Sequence, residues 1–299
     1  MGLARESCSG IWVPLVTPFR DDAPDLERLD TLVHWLLARG IRGFLALGTT
    51  GEAPHLGEDE AAVVLRAVVA SVAGRVPVLA GCGRPSARST LRAIEAAAQS
   101  GADGALVLTP FYYRKQLGPE ALVGFYHEIA ATAPLPLFVY HLPQVTELDL
   151  DADLLGRLLQ HPNIWGFKDS AVEGGPLAAT LQRAETLGFT GHGGGLLPAL
   201  DAGACGGILA VAHVLPEAGV AVYEAQRAGQ RSEAERAQAV LTALVTAWRG
   251  RGIAGVKCGL RQRGLDCGEP RRPLEPLPAT MQAAVTAAVE AAARAGYVR

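Results

Sequence analysis

Lysine is scarce in this chain, and one lysine stands where it could do chemistry. Of the 27 basic residues only three are lysines, Lys115, Lys168 and Lys257. Lys168 follows the apolar run 164–167, which predicts that its amine emerges at the end of a buried strand. Burial disfavours the charged ammonium, and a neutral amine can attack a carbonyl carbon. Lys168 is therefore a candidate Schiff-base nucleophile, and a lysine that pairs with Asp169 is the alternative.

Hydroxyl groups at the ends of other apolar runs could move protons around this amine. Tyr140 ends the run that precedes the one carrying Lys168, so we expect its phenol beside the amine. A phenol alone is a poor base, but a relay through Thr49 and Tyr112 could carry its proton during imine formation. An ordinary tyrosine at the edge of the core is the alternative.

The segment GTTGE at 48–52 is a candidate anion-binding turn. Thr49 and Thr50 stand between Gly48 and Gly51, and backbone N–H groups in such a turn can accept a carboxylate. An ordinary β-turn is the alternative.

Composition argues against several classes of partner and of site. The formal net charge is -3 without a long basic tract, which disfavours a nucleic-acid partner. The five cysteines form no CxxC pair, so neither a disulfide framework nor a zinc site is expected. His141, His192 and His213 form no HxH or HxxxH pair, which favours polar or substrate-contacting histidines over metal ligands, and we expect no metal.

No segment predicts export or membrane insertion. The N-terminal residues lack an apolar stretch of signal-peptide length, and the longest apolar run, 206–215, is too short to span a bilayer. We therefore expect a cytoplasmic protein.

The elements that would position these residues follow a βα rhythm. Apolar strands that alternate with amphipathic helices indicate a parallel sheet, and eight of them suffice for a (β/α)8 TIM barrel. The predicted strands are 11–15, 43–47, 76–80, 105–108, 137–140, 164–167, 189–191 and 207–211. Predicted helices at 26–39, 58–73, 86–100 and 120–133 have apolar residues at helical spacing, with glycines at the ends of the first three.

We predict a barrel domain at 1–230 and a C-terminal helical extension at 231–299. An open doubly wound sheet is the competing architecture, and it would place a glycine-rich phosphate loop after the first strand. That loop is absent there, and GHGGGL at 191–196 is better explained as a tight turn.

The motifs together resemble the dihydrodipicolinate synthase and N-acetylneuraminate lyase family of pyruvate-dependent enzymes. They are VTPF at 16–19, GTTGE at 48–52, TPFYY at 109–113, Tyr140 with Pro143, and HPNIWGFKDS at 161–170. The resemblance implies a cofactor-free enzyme in which Lys168 forms the Schiff base and Tyr140 transfers protons. It also implies that Thr49 is the relay hydroxyl and that Tyr112 crosses into a neighbouring subunit's site. Gly48 and Thr50 would bind the keto acid, with Thr50 at its carboxylate. Gly207 and Ile208 match the strand-eight turn that faces the keto acid.

One departure from this family pattern bears on the substrate. Val145 stands where dihydrodipicolinate synthases usually carry an arginine for the second substrate. The segments 109–114, 161–170 and 204–215 look closer to the aldolases for 4-hydroxy-2-oxoglutarate and 2-keto-3-deoxy sugar acids, where Ser170 could contact the substrate. His141, Gln144 and Ser170 would offer neutral hydrogen bonds if they line the pocket.

The expected function is aldol cleavage or condensation that links pyruvate, or a hydroxylated 2-keto acid, with an aldehyde. The expected assembly is a homo-oligomer, either a dimer or a tetramer. A 4-hydroxy-tetrahydrodipicolinate synthase, a non-catalytic keto-acid-binding barrel and a metal-dependent hydrolase are the alternatives.

Overall fold

Eight parallel strands close into a barrel in the computed structural model, which describes residues 3–172 and 175–299. Each strand pairs with the next, and the last pairs with the first. The strands are β1 Gly10–Pro14, β2 Gly43–Ala46, β3 Val78–Gly81, β4 Gly104–Leu108, β5 Leu137–His141, β6 Ile164–Asp169, β7 Leu187–Thr190 and β8 Gly206–Ile208. The predicted TIM barrel is confirmed.

Helices connect the strands and continue beyond them. They are α1 Leu26–Leu37, α2 Glu58–Val72, α3 Ala87–Gln99, α4 Pro119–Thr132, α5 Pro143–Thr146, α6 Ala152–Leu158, α7 Leu177–Leu181, α8 Leu196–Asp201, α9 Pro216–Arg227, α10 Arg231–Ala247, α11 Gly252–Gln262 and α12 Ala279–Arg294. Asp25 caps α1 by accepting a hydrogen bond from the Arg28 backbone N–H. Gly40, Gly74 and Gly101, which follow α1, α2 and α3, all have positive φ.

The boundaries of all eight strands differ from the prediction by one to three residues, and two of the larger differences have a clear physical cause. Strand β3 begins at Val78 rather than at 76, because Pro77 has no N–H to donate to a neighbouring strand. Strand β8 ends at Ile208 rather than at 211, because residues Ala210–His213 form a 3₁₀ helix. The division of the chain at residue 230 stays a prediction.

Side chains fill the inside of the barrel, so the functional space lies at its ends. Trp12, Phe138, Phe189 and Ile208 belong to the inner cluster, and the Trp12 and Phe189 rings meet edge to face at 5.6 Å. In this fold the carboxyl ends of the strands carry the active site. None of the helices in the described ranges combines the length and the apolar character that a bilayer span requires.

Candidate active site

Lys168 and Tyr140 lie side by side at the carboxyl ends of β6 and β5. They occupy paired positions in the parallel register, so their side chains point to the same side of the sheet. The Lys168 Nζ atom lies 4.3 Å from the centroid of the Tyr140 ring, and both residues are buried, at 4% and 6% exposure. The structure therefore places the predicted amine against the predicted phenol.

Asp169 does not pair with Lys168. Its Oδ1 accepts hydrogen bonds from His141 Nδ1 at 2.9 Å and from the Ala171 backbone N–H at 2.9 Å. Its Oδ2 accepts from the Leu177 backbone N–H. Across the described ranges no ion pair joins Lys168 to a carboxylate, which argues against the lysine as a mere partner of Asp169.

His141 is committed to the protein rather than to a substrate. It is fully buried, its Nδ1 donates to Asp169, and its Nε2 accepts from the Leu150 backbone N–H. Gln144 Nε2 donates to the Ser170 carbonyl at 2.7 Å. The expectation that His141 offers a hydrogen bond to a substrate is therefore wrong, whereas the Ser170 side chain lies close to Lys168.

Gly191, just after β7, makes room for Lys168 and Ser170. A Cβ atom at this position would lie 2.8 Å from Lys168 Cε and 1.8 Å from Ser170 Oγ. Sequence reasoning identified only a tight turn here, since nothing in GHGGGL shows which side chains approach it. Gly191 is thus a site residue that the sequence did not reveal.

The GTTGE turn lies at the end of β2 and is stabilised by hydrogen bonds within the turn. The backbone N–H groups of Gly51 and Glu52 donate to the carbonyls of Gly48 and Thr49, and Thr17 Oγ1 donates to the Gly51 carbonyl at 2.7 Å. Within the described part of the chain, no acceptor binds the backbone N–H groups of Thr49 and Thr50. These groups are available to an anion.

A cavity of about 370 Å³ opens at this end of the barrel. Gly48, Thr49, Tyr112 and Tyr140 line it together, whereas Ile208 is buried inside the barrel. No hydrogen bond joins the hydroxyls of Thr49, Tyr112 and Tyr140 in the described ranges, so the proton relay stays a prediction.

His213 serves the fold. Burial lowers the pKa of His213 to about 4. Its Nε2 accepts from the Val16 backbone N–H at 3.0 Å, while its Nδ1 donates to the Ala210 carbonyl. Burial, and then the charge of Arg249, lowers the pKa of His192. Over residues 3–172 and 175–299 no group of three or more His, Cys, Asp or Glu side chains is placed to hold a metal ion.

Sequence comparison assigns the chain to a family. The sequence model of the dihydrodipicolinate synthetase family matches residues 7–292. The chain belongs to this family. It is therefore a lyase of the aldolase type found there, as the resemblance of its motifs implied.

Three curated relatives illustrate the range of this family. An uncharacterized DapA-like lyase of Halobacterium salinarum is 38% identical over 93% of this chain and 92% of its own length. The L-threo-3-deoxy-hexylosonate aldolase of Hypocrea jecorina is 36% identical, with 90% of each chain covered. A 4-hydroxy-tetrahydrodipicolinate synthase of Ruegeria pomeroyi is 34% identical over 92% of this chain and 96% of its own.

A solved structure of the family holds a keto acid. YagE, a prophage protein from E. coli K12, was crystallised in complex with pyruvate. It superposes with a TM-score of 0.88 at 26% identity, covering 95% of this chain and 98% of YagE.

Proposed function

We propose that this protein is a class I aldolase that binds a 2-keto acid as a Schiff base on Lys168. The observation that carries the proposal is the buried Lys168 amine against the Tyr140 ring, without an acidic partner among the described residues. The pyruvate bound to the related YagE supports a keto acid as the ligand.

The reaction divides into imine formation and carbon–carbon chemistry. The neutral Lys168 amine adds to the carbonyl carbon of the keto acid, and the carbonyl oxygen leaves as water. The protonated imine then draws electrons from C3, which loses a proton to give the enamine. Addition of C3 to an aldehyde followed by imine hydrolysis completes the condensation, and the reverse sequence cleaves the product.

The surrounding residues have distinct roles in this proposal. Tyr140 transfers protons to and from the leaving oxygen, with Thr49 and Tyr112 as relay hydroxyls. The turn with Gly48 and Thr50 binds the carboxylate through backbone N–H groups. Ser170 contacts the substrate beside Lys168, and Ile208 supports the keto acid from the end of β8.

The product of condensation is a hydroxylated 2-keto acid, and aspartate semialdehyde is a poor second substrate. Val145 is 47% exposed and apolar, so it cannot form the bidentate contact with a carboxylate that arginine gives. The similarity to a 3-deoxy-hexylosonate aldolase supports a hydroxylated 2-keto acid as the product of condensation. The synthase of lysine biosynthesis is not favoured.

A comparison of kcat/KM tests the substrate. We expect cleavage of 4-hydroxy-2-oxoglutarate or of a 2-keto-3-deoxy sugar acid to exceed condensation of pyruvate with aspartate semialdehyde by about a hundredfold, because loss of a charged contact typically costs a few kcal/mol. Val145→Arg serves as the matched variant and should narrow the difference. Efficient condensation with aspartate semialdehyde by the wild-type protein would contradict the substrate assignment.

We also propose that the active unit contains at least two subunits, either a dimer or a tetramer. Tyr112 and Tyr113 are 73% and 65% exposed at the barrel mouth, and large aromatic side chains so exposed are typical of interfaces.

A further inference from the structure

Glu52 is a buried, conformationally strained residue at the end of the GTTGE turn. It is 1% exposed, and its φ is +56°, in the left-handed region that residues with a Cβ rarely adopt. Such a conformation persists only where the surrounding structure enforces it. The contacts of Glu52 therefore indicate what holds the turn.

The Glu52 carboxylate is bound by the C-terminal part of the chain. Lys257 Nζ donates to Oε1 at 2.8 Å, and the Arg271 backbone N–H donates to Oε2 at 2.7 Å. Lys257 also donates to the Glu269 carbonyl at 3.1 Å, and its Nζ lies 4.5 Å from the centroid of the Phe19 ring. Both members of this ion pair have fully buried side chains.

The same C-terminal segment binds the loop between β2 and α2 and the first turn of α2. The Arg271 guanidinium donates to both carboxylate oxygens of Glu60, on α2, at 2.6 and 2.7 Å. It also donates to the His55 carbonyl at 2.8 Å. Gly268 packs so closely that a Cβ atom there would lie 2.2 Å from the Phe19 carbonyl oxygen. The loop that begins with the turn is thus anchored at Glu52, at His55 and at Glu60.

Stability alone is a weak reason for a buried ion pair. Well-packed apolar residues of similar volume are often as stabilising, because both charges lose their hydration on burial. An ion pair differs from an apolar contact because it fixes the position and orientation of the two charged groups relative to each other. Glu52 lies two residues beyond Thr50, so its position determines where the N–H groups of the turn point.

We propose that Lys257 is a positioning residue, which acts through Glu52 to hold Thr49 and Thr50 in the arrangement that binds the carboxylate of the keto acid. The inference rests on the proposed function. It assigns the second buried lysine of the chain a part in pyruvate binding without contact to pyruvate.

The test separates pyruvate binding from folding stability. In Lys257→Met, and in the double variant Glu52→Gln/Lys257→Met that removes both charges, we expect KM for pyruvate to rise about tenfold or more. The limiting rate should fall less than KM rises, since Lys168 and Tyr140 are untouched. Lys257→Arg, which keeps the charge, should recover part of the affinity.

A second, largely buried ion pair provides the control. Arg263 Nη2 lies 2.7 Å from Glu217 Oε1, with side-chain exposures of 3% and 13%, and this pair joins the end of α11 to α9. Glu217→Gln/Arg263→Met should lower the melting temperature to a similar extent and leave KM for pyruvate within about twofold of the wild type.

Two outcomes would overturn the inference. One is a set of Lys257 variants that lose stability like the control and keep the wild-type KM. The other, should the methionine variants not fold, is an unchanged KM in Glu52→Gln alone, which preserves the size of the side chain. Borohydride trapping of pyruvate on the wild-type protein separates the two proposals. If no pyruvate is trapped, the proposed function fails. If pyruvate is trapped but the variants keep the wild-type KM for pyruvate, only this inference fails.

Discussion

The three lysines of the chain occupy three different environments. Lys115 is exposed, Lys257 is buried in an ion pair with Glu52, and Lys168 is buried against Tyr140 without a carboxylate partner in the described ranges. Only Lys168 thus combines shielding from water with an amine that no carboxylate binds. These are the conditions under which an amine can add to a carbonyl group.

Gly191→Ala should disable the site without unfolding the barrel. The new Cβ would overlap Ser170 Oγ and crowd Lys168 Cε, and a displacement of about 1 Å in a reacting group can cost about a hundredfold in rate. We expect kcat/KM to fall by about that factor, measured beside the melting temperature. Gly118→Ala is the control, since a Cβ there meets nothing within 4 Å. Wild-type turnover in Gly191→Ala would contradict the packing around Lys168.

At the scale of elements, hydrogen bonds between neighbouring strand ends keep the site in register. His141 and Asp169 join β5 to β6 directly after Tyr140 and Lys168. His213 plays a similar part where the barrel closes, because it links the segment after β1 to the 3₁₀ helix after β8. Both histidines are therefore structural.

The buried His213 makes stability depend on pH. Its pKa is about 4 in the folded protein and about 6.5 when unfolded, so between these values the unfolded chain binds more protons. Stability is consequently lost as the pH falls from 6.5 towards 4. We expect His213 to account for about 2 kcal/mol of the loss in unfolding free energy between pH 7 and pH 4.5.

Urea unfolding at several pH values measures this contribution. His213→Gln keeps a donor and an acceptor but does not titrate, so its stability should decline less with acid. His34→Gln, at an exposed position, should follow the wild type. Equal acid sensitivity in His213→Gln and the wild type would contradict the role of His213.

The barrel, and the location of the site at the carboxyl ends of its strands, could be predicted from the sequence. The alternation of strands with helices and the polar residues after the strands are both visible in short stretches of sequence. The hydrogen-bond partner of each polar residue could not be predicted from the sequence. His141 looked equally suited to a substrate until Asp169, 28 residues away, was seen to bind it. Glu52 and Lys257 are 205 residues apart, and no local pattern joins them.

At the scale of the whole molecule, parts of the protein other than the barrel strands contribute to the barrel mouth. The C-terminal segment around Arg271 anchors the loop after β2, and the exposed Tyr112 lies at the mouth in the segment after β4. The exposed Tyr112 is what the proposed assembly would cover with a second subunit.

Hybrid oligomers test whether Tyr112 serves a neighbouring site. Tyr112→Phe should reduce turnover by about a hundredfold if its hydroxyl relays protons, with an unchanged melting temperature. Mixing Tyr112→Phe subunits with Lys168→Ala subunits should restore activity, because one hybrid site regains both groups. Tyr113→Phe is the control. A fully active monomer in analytical ultracentrifugation at assay concentration, or no recovery on mixing, would contradict the assembly.

Borohydride reduction in the presence of pyruvate, followed by peptide mapping, tests directly whether Lys168 forms the Schiff base. We expect one reduced pyruvyl group per chain, attached to Lys168, with loss of activity and with neither Lys115 nor Lys257 modified. Lys168→Met should take up no label and remain folded, since methionine keeps an unbranched side chain and has no amine with which to form an imine. Labelling at another lysine, or an enzyme that stays unlabelled and active, would contradict the assignment of the Schiff base to Lys168.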